Sequence, residues 1–542
     1  MRDQVSTKSH IPAVLANALK LHQAGDLLRA EALYRSILEL DSEHFDAIHL
    51  LAVVGYSTNH IDASLELFER AFSKKPDNFP LLVNYGAALQ KAGRSKDAIR
   101  LYDKALASNP VSFEANLNKA HSLLSINDLE EAEYFYRYCL GQKPDDPALL
   151  TCLGNVYLKR DDWVVAAQYY DSAQGLDPSM VAPYVALAQI CRDRQWGATA
   201  TLLCERVLRF DPRNPIARSI GGHAALKTGN LKRGWKLYEG RFFNSDDMVN
   251  RRPVPPFYWD GEDLDGKSIL IWTEQGVGDE ILFASMLANM VQTAHRVVFE
   301  CQPRMVPVYK RSFPSMEVIG WEKLTPSTTP IAGFDYQSSI GSLGQFLRPE
   351  LASFPKNSGY LAADQKKVAD LRARYGAGPL IGISWRSSAV RGKKSSPLLD
   401  WAPTLRMPGV RFVNLQYGDN RQEIADVKNA IGIDIIQDEL VDPLQDMDTF
   451  FAQVAAMDLV ITTSNTTVHV AGSLGIPTWM LLQHRGGLHW YWFSQREDCP
   501  WYPSVRLFRQ LGDSSSSEKW WTTVLQRVSD ALPEWLADYK RT

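Results

Sequence analysis

Residues 458–482 read DLVITTSNTTVHVAGSLGIPTWMLL, and this stretch decides the fold of the second half of the chain. Leu459, Val460 and Ile461 form a short apolar, β-branched run, which predicts a buried strand. Ser464, Asn465, Thr466 and Thr467 follow as a cluster of helix-capping side chains, and residues 468–474 carry a compact helical pattern stopped by Gly475. Pro477 opens a second apolar run at 479–482. Strand, polar turn, helix and strand in this order predict a right-handed parallel crossover. The helix would start at the carboxyl end of a parallel strand, where unpaired N–H groups and the positive end of the helix dipole favour phosphate.

The same alternation extends over the whole region from 257 onward. Apolar strand runs at 268–272, 296–300, 316–320 and 333–337 predict one parallel unit. Runs at 379–385, 411–416, 432–436, 458–463, 477–482 and 505–509 predict a second. Residues 354–376 read as a hinge followed by a charged helix, so the two α/β units are taken as 257–365 and 366–515, with a helical tail at 516–542. Two facing doubly wound units enclose a cleft, and ligands of such sheets lie outside the carboxyl ends of the strands.

Candidate ligand residues follow from that geometry. The first strand runs into TEQGVGDE at 273–280, where Gly276 and Gly278 allow close backbone approach and Asp279 stands at a helix start, as a functional carboxylate or a plain N-cap. No third glycine completes a dinucleotide fingerprint, which argues against an oxidoreductase. In the second unit Arg386, Arg391, Lys393 and Lys394 follow a strand, a set that would screen a diphosphate or form a solvated basic loop. His469 shares a helix face with Asn465 and suits either a phosphate contact or helix packing. His484, His489 and Trp490 lie in a loop after a strand; Trp490 would stack on a ligand ring or pack as an aromatic lid.

The N-terminal half has a strict 34-residue period. Units starting at 11, 45, 79, 113, 147, 181 and 215 align Ala52, Gly86, Ala120, Gly154, Ala188 and Gly222 at position 8, and Tyr34, Phe68, Tyr102, Tyr136, Tyr170, Cys204 and Tyr238 at position 24. This matches the tetratricopeptide pattern, so residues 11–243 are read as an all-α superhelix of about seven helix pairs with a groove suited to a polypeptide. Asn84 and Asn118 share position 6 and would face that groove, bonding a peptide backbone or simply solvent. The polar, proline-rich residues 244–256 read as a linker.

Composition narrows the function. A net charge of -3 gives no bulk attraction for nucleic acid or anionic membranes, and no run is apolar enough for a membrane span. The N-terminus lacks a secretory core and the six cysteines show no C-x-x-C spacing, which predicts a cytoplasmic protein without a metal cluster.

EQGVGDEILFASML, GISWRSS with KKSSPL, FVNLQYGD, and residues 458–482 followed by CPWYPSVRLFRQ together resemble the bacterial tetratricopeptide-fused glycosyltransferases. Their catalytic part is similar to the heptosyltransferase-type GT-B fold, two facing Rossmann-like domains. With its Ser-Asn-Thr-Thr turn, the chain looks most like the enzymes that glycosylate flagellin. The resemblance implies Asp279 as general base, Lys393 or Lys394 as phosphate ligand, the 464–469 turn as donor holder, and flagellin as protein acceptor. It implies a nucleotide-sugar co-substrate with no other cofactor and no metal. Ser464 and Asn465 stand where heptosyltransferases have an aspartate, which implies a donor other than ADP-heptose, such as CMP-activated pseudaminic acid. Asp263 and Asp265, and Asp446 and Asp448, look like the D-x-D of metal-dependent transferases, but one pair falls in a turn and Asp448 reads as an N-cap. The rival expectations are a tetratricopeptide adaptor or chaperone with an inactive transferase fold, and transfer to a lipid-linked glycan.

Overall fold

The computed structural model describes residues 10–194, 196–243, 257–321, 333–357, 359–387, 395–483, 489–494, 496–510 and 520–540, so the expected linker at 244–256 lies outside the described residues. The chain divides into two compact units, Met1–Ala186 and Leu187–Thr542. Among the described residues, no helix is long and apolar enough to cross a membrane.

The period sets the helices. Paired helices occupy Ile11–Gln23 and Leu27–Leu40, Phe45–Ser57 and Ile61–Lys74, Phe79–Lys91 and Ser95–Ser108, Phe113–Ser125 and Leu129–Gln142, Pro147–Lys159 and Trp163–Leu176, Val181–Asp193 and Gly197–Phe210, and Pro215–Lys227 and Leu231–Tyr238, here α1 to α14 in that order. Every first helix of a pair begins at the residue where the 34-residue register opens a unit. In the first unit, Asp26, Asn78, Ser112, Asp128, Asp146 and Asp162 cap helices through side-chain oxygens that accept backbone N–H groups. Tyr34, Tyr102, Tyr136 and Tyr170 are fully buried, and a Cβ on Gly86 or Gly154 would lie 2.5 Å from the Cε1 of Tyr102 or Tyr170. The small residue at position 8 is therefore the space that the aromatic at position 24 fills.

The second unit carries α12 to α14 and two all-parallel sheets. The first sheet contains β1 (Phe257–Tyr258), β2 (Ser268–Trp272), β3 (Arg296–Cys301), β4 (Glu317–Gly320) and β5 (Tyr336–Ser339) in the order β1-β5-β2-β3-β4. Its helices are α15 (Val277–Ala284), α16 (Leu287–Thr293), α17 (Val306–Ser312) and α18 (Gly344–Leu347). α19 (Gln365–Tyr375) precedes the second sheet. That sheet holds β6 (Leu380–Ser384), β7 (Arg411–Asn414), β8 (Ile435–Ile436), β9 (Leu459–Thr463), β10 (Thr478–Leu482) and β11 (Val505–Arg509). Its order, β8-β7-β6-β9-β10-β11, is the doubly wound order with its switch point between β6 and β9. The helices here are α20 (Ala402–Leu405), α21 (Arg421–Ile431), α22 (Met447–Ala455), α23 (Thr466–Leu474) and α24 (Trp520–Tyr539). The predicted strand–turn–helix–strand at 458–482 is β9, α23 and β10, with Gly475 at φ 76° closing α23 in the left-handed conformation glycine favours.

Three local readings need correction. The strand expected at 333–337 is β5 at Tyr336–Ser339, later than expected, because Asp335 is held in the preceding turn by the Ser268 N–H, which donates to its carboxylate at 2.8 Å. The strand expected at 432–436 is reduced to Ile435–Ile436 because Gly432 adopts φ 73° to cap α21. Asp446, not Asp448, caps α22. Asp448 instead accepts from Arg311 at 2.7 Å and Lys367 at 2.8 Å.

The last repeat is built into the first sheet. Trp235 of α14 donates its indole N–H to the Arg348 carbonyl at 2.8 Å and meets Trp490 edge-on with centroids 5.1 Å apart. Beyond α14, Arg241 is wholly buried and grips both carboxylate oxygens of Glu274 at 2.8 and 2.9 Å, with Glu239, Ser339 and Ser342 as further partners. Removing one member of such a group strands a buried charge. Arg241→Met is therefore expected to destabilise the Leu187–Thr542 unit by about 3–5 kcal/mol, read as an earlier unfolding transition by tryptophan fluorescence in urea.

Candidate functional site

The carboxyl ends of β6, β7 and β9 are fastened together by two amide side chains. Gln416, just past β7, accepts through Oε1 from the Ser384 hydroxyl at 3.1 Å and from the N–H groups of Trp385 at 3.0 Å and Arg386 at 2.7 Å. Asn465, just past β9, donates from Nδ2 to Ser384 Oγ at 2.7 Å and to the Arg386 carbonyl at 3.0 Å. Its Oδ1 accepts from the Thr467 N–H at 2.9 Å and from the Thr462 hydroxyl at 3.1 Å. The sequence supplies these groups because a parallel sheet leaves its terminal backbone groups without strand partners, and short amides reach them.

Across from this clasp, α15 brings the loop after β2 close to α23. A Cβ on Gly278 would stand 2.9 Å from Cδ2 of His469, so only glycine permits this approach. Between them lies a cavity of about 400 Å³. Gly276, Gly278 and Asp279 line it on one side, and Ser464, Asn465, Thr466, Thr467 and His469 on the other. His489 closes an edge, stacked on Tyr491 at 4.9 Å. A second hollow of about 530 Å³ adjoins it, sharing Tyr417, Pro443, Leu444 and Phe450 as a common wall.

Several candidates have other duties. The Asn465 amide is spent on the clasp and the cap, so it orients the turn and has no hydrogen left for a ligand. Arg386 turns its guanidinium to Glu423 at 3.1 Å and to the Asp419 carbonyl at 3.0 Å, away from the cavity lining. Trp490 is 4 % exposed and packs against Trp235, Tyr238 and Trp501, so it is core rather than a stacking platform. Asn84 donates to the His49 ring at 3.1 Å within the repeats, and Asn118 is half-buried on α7. Lys393, Lys394 and His484 lie outside the described residues.

Sequence reasoning missed Tyr491, Tyr417, Arg304 and Ser387, all of which line the cavity. Burial, then the Asp279 carboxylate, holds the Tyr491 phenol well above its ordinary range, so it stays protonated and hydrogen-bonds to Asp279. Each of the four lies beyond the carboxyl end of a parallel strand, so collecting every such loop would have found them.

Comparison with known proteins places the molecule. A tetratricopeptide repeat family model matches residues 86–147. Protein FlbA of Caulobacter vibrioides is 33% identical over 547 residues, which cover 96% of this chain and 90% of that protein. The chain belongs to the FlbA family. Cellulose synthase operon protein C of Pseudomonas fluorescens is 25% identical over 244 residues, covering 42% of this chain and 19% of that protein. Among solved structures, PilW, a type IV pilus biogenesis factor, is 20% identical and covers 39% of this chain and 97% of its own with a TM-score of 0.36.

Beneath the cavity this FlbA-family chain buries a carboxyl group. Glu280, next to Asp279 on α15, is 1 % exposed, and burial pushes its carboxyl up to about 8. The Gln302 N–H, Tyr309, Arg304 and Thr273 pull the other way, and Cys301 lies alongside. A carboxyl whose folded value is raised above the unfolded one stabilises fully at low pH, and that stability is lost between its ordinary value and about 8. Glu280→Gln removes the titration. Its stability relative to the wild type is expected to rise from pH 5 to pH 8 by roughly 1.4 kcal/mol per pH unit at most, measured by urea denaturation across that range.

Proposed function

We propose that this FlbA-family protein is a metal-independent glycosyltransferase of GT-B type. It moves a sugar from a nucleotide-sugar donor to a serine or threonine hydroxyl of a protein, flagellin by resemblance, that the tetratricopeptide groove recruits. The observation that carries this reading is the meeting of Asp279 with the start of α23 across one cavity, at the switch points of two parallel sheets.

Asp279 suits the role of general base, oriented by the Tyr491 hydroxyl. The acceptor oxygen attacks the anomeric carbon, its proton passes to the Asp279 carboxylate, and the sugar–phosphate C–O bond breaks with its electron pair retained by the departing nucleotide. Ser464, 7 % exposed, accepts from the Trp492 indole at 3.2 Å and keeps its own hydrogen for a ligand oxygen, and Thr466 occupies the first helical position of α23. Preorganised donors there lower the barrier as charge grows on the leaving phosphate. The adjoining hollow is lined by Asp419, paired with Arg421, by Asp438, paired with Arg374 at 2.6 Å, and by Glu439 and Asp442, a lining that suits sugar hydroxyls and base N–H groups better than phosphate. This orients the nucleoside towards the second hollow and the sugar towards Asp279. CMP-activated pseudaminic acid is a donor of suitable chemistry.

A second reading has its own support. The family-model match lies in the repeats, and the side chains of Asn465 and Arg386 are already engaged. A repeat-built adaptor whose α/β region keeps the transferase fold but has lost donor binding fits these observations.

Calorimetry with nucleotides and nucleotide sugars separates the two. A transferase binds at least one, whereas an adaptor binds none. With the donor found, Asp279→Asn should keep fold and donor affinity but lose about 10²–10⁴-fold in transfer, scored by intact mass of flagellin. Undiminished transfer removes Asp279 from the mechanism. Tyr491→Phe should cost less, about tenfold, and move the acidic limb of the activity profile to higher pH, because the carboxylate loses a hydrogen bond that favours its charged form.

A further inference from the structure

Arg304 follows β3 in the 3-10 turn Pro303–Met305 and extends into the cavity from the first sheet's side. Its Nε donates to Gln302 Oε1 at 3.2 Å, and its Nη1 donates to the carbonyls of Pro443 at 3.4 Å and Leu444 at 3.2 Å, which belong to the second sheet's side. All three acceptors are neutral. Among the described residues that line the cavity, Arg304 is the sole arginine or lysine, and no carboxylate of the described residues lies within ion-pair distance of it. Burial pushes the nearby carboxyl of Glu280 up to about 8, which favours its neutral form over an anion facing Arg304. A guanidinium has five N–H donors and always keeps its charge, so Arg304 retains both donors and charge for an anion.

Its placement matters as much as its charge. Pro443 and Leu444, which Arg304 holds, form part of the partition between the cavity of about 400 Å³ and the hollow of about 530 Å³. Resting on the donor reading above, we infer that Arg304 is a phosphate ligand of the donor, supplied by the first sheet's side, and that it fixes the partition separating the phosphate from the nucleoside. As the sugar–phosphate bond breaks, Arg304 meets the charge gathering on the phosphate from the face opposite α23. The two sheets thereby grip one ligand.

The test is calorimetry of the full chain with inorganic pyrophosphate, CMP, ADP, CDP, GDP, UDP and the parent nucleosides. Wild type, Arg304→Met, Arg304→Lys and Lys310→Met are compared, Lys310 being an exposed cation of α17 outside the cavity lining. Arg304→Met should weaken whichever phosphate-bearing probe binds the wild type by about tenfold or more and flatten its salt dependence. Nucleoside affinity and the melting temperature should change little, Arg304→Lys should recover part of the loss, and Lys310→Met should match the wild type. If Arg304→Met binds the phosphate probes as the wild type does, the role of Arg304 is overturned and the donor reading stands. An equal loss for phosphates and nucleosides reduces Arg304 to a prop for residues 443–444 and also overturns the inference. A wild type that binds no probe sinks the donor reading and Arg304 with it. Should Arg304→Met melt early, the comparison of Arg304→Lys with the wild type decides, because lysine keeps the charge but loses the planar fork.

Discussion

The side chain of Asn465 holds the second sheet's switch point together. Where β6 and β9 part, the helices that follow them run to opposite faces, and their terminal carbonyls and amides have no neighbouring strand. Asn465 closes that gap by bonding Ser384 and the Arg386 carbonyl on one strand end while capping α23 on the other. Gln416 repeats the arrangement from β7. Buried polar groups of this kind are costly unless every one is satisfied, and here the network is closed. The position of α23, and hence of Ser464, Thr466 and His469 around the cavity, follows from it.

A second constraint comes from the end of the repeats. Arg241 bonds Glu274, and the Tyr238 hydroxyl meets the Gln275 side chain at 3.1 Å. Glu274 and Gln275 immediately precede Gly276, Gly278 and Asp279. The loop that carries the cavity's carboxylate is thus anchored on the helix pair before it, through a charge group wholly removed from water. An array tethered by a flexible linker alone would leave that loop free. Here the last repeat serves as part of the scaffold of the α/β structure, with Trp235, Tyr238 and Trp490 in one apolar cluster with Phe283 of α15.

Much of the architecture was legible in the residues. The 34-residue register placed every first helix, since the small residues at position 8 and the aromatic residues at position 24 can only be reconciled by close helix pairing. Apolar runs bounded by glycine and proline located most strands, and Asn465 was recognised as part of a polar turn before a helix. Side-chain destinations were less legible. Trp490 reads equally well as a ligand platform or as core until Trp235 is brought 5.1 Å from it across more than two hundred residues of sequence. Asp448 is a plausible cap until Arg311 and Lys367 converge on it from other elements.

By itself, then, the sequence determined periodicity, strand–helix alternation and which loops stand at strand ends, because these depend on local backbone preference and on the spacing of apolar residues. Only the tertiary structure decided which polar groups remain available to a ligand. Asn465 and Arg386 are claimed by neighbours distant in sequence, while Arg304 and Tyr491, without any motif to mark them, are delivered to the cavity wall. The reason is that hydrogen-bond capacity is finite and is allotted by whichever groups the folded chain brings within about 3 Å, a matter of three-dimensional proximity that no local pattern encodes.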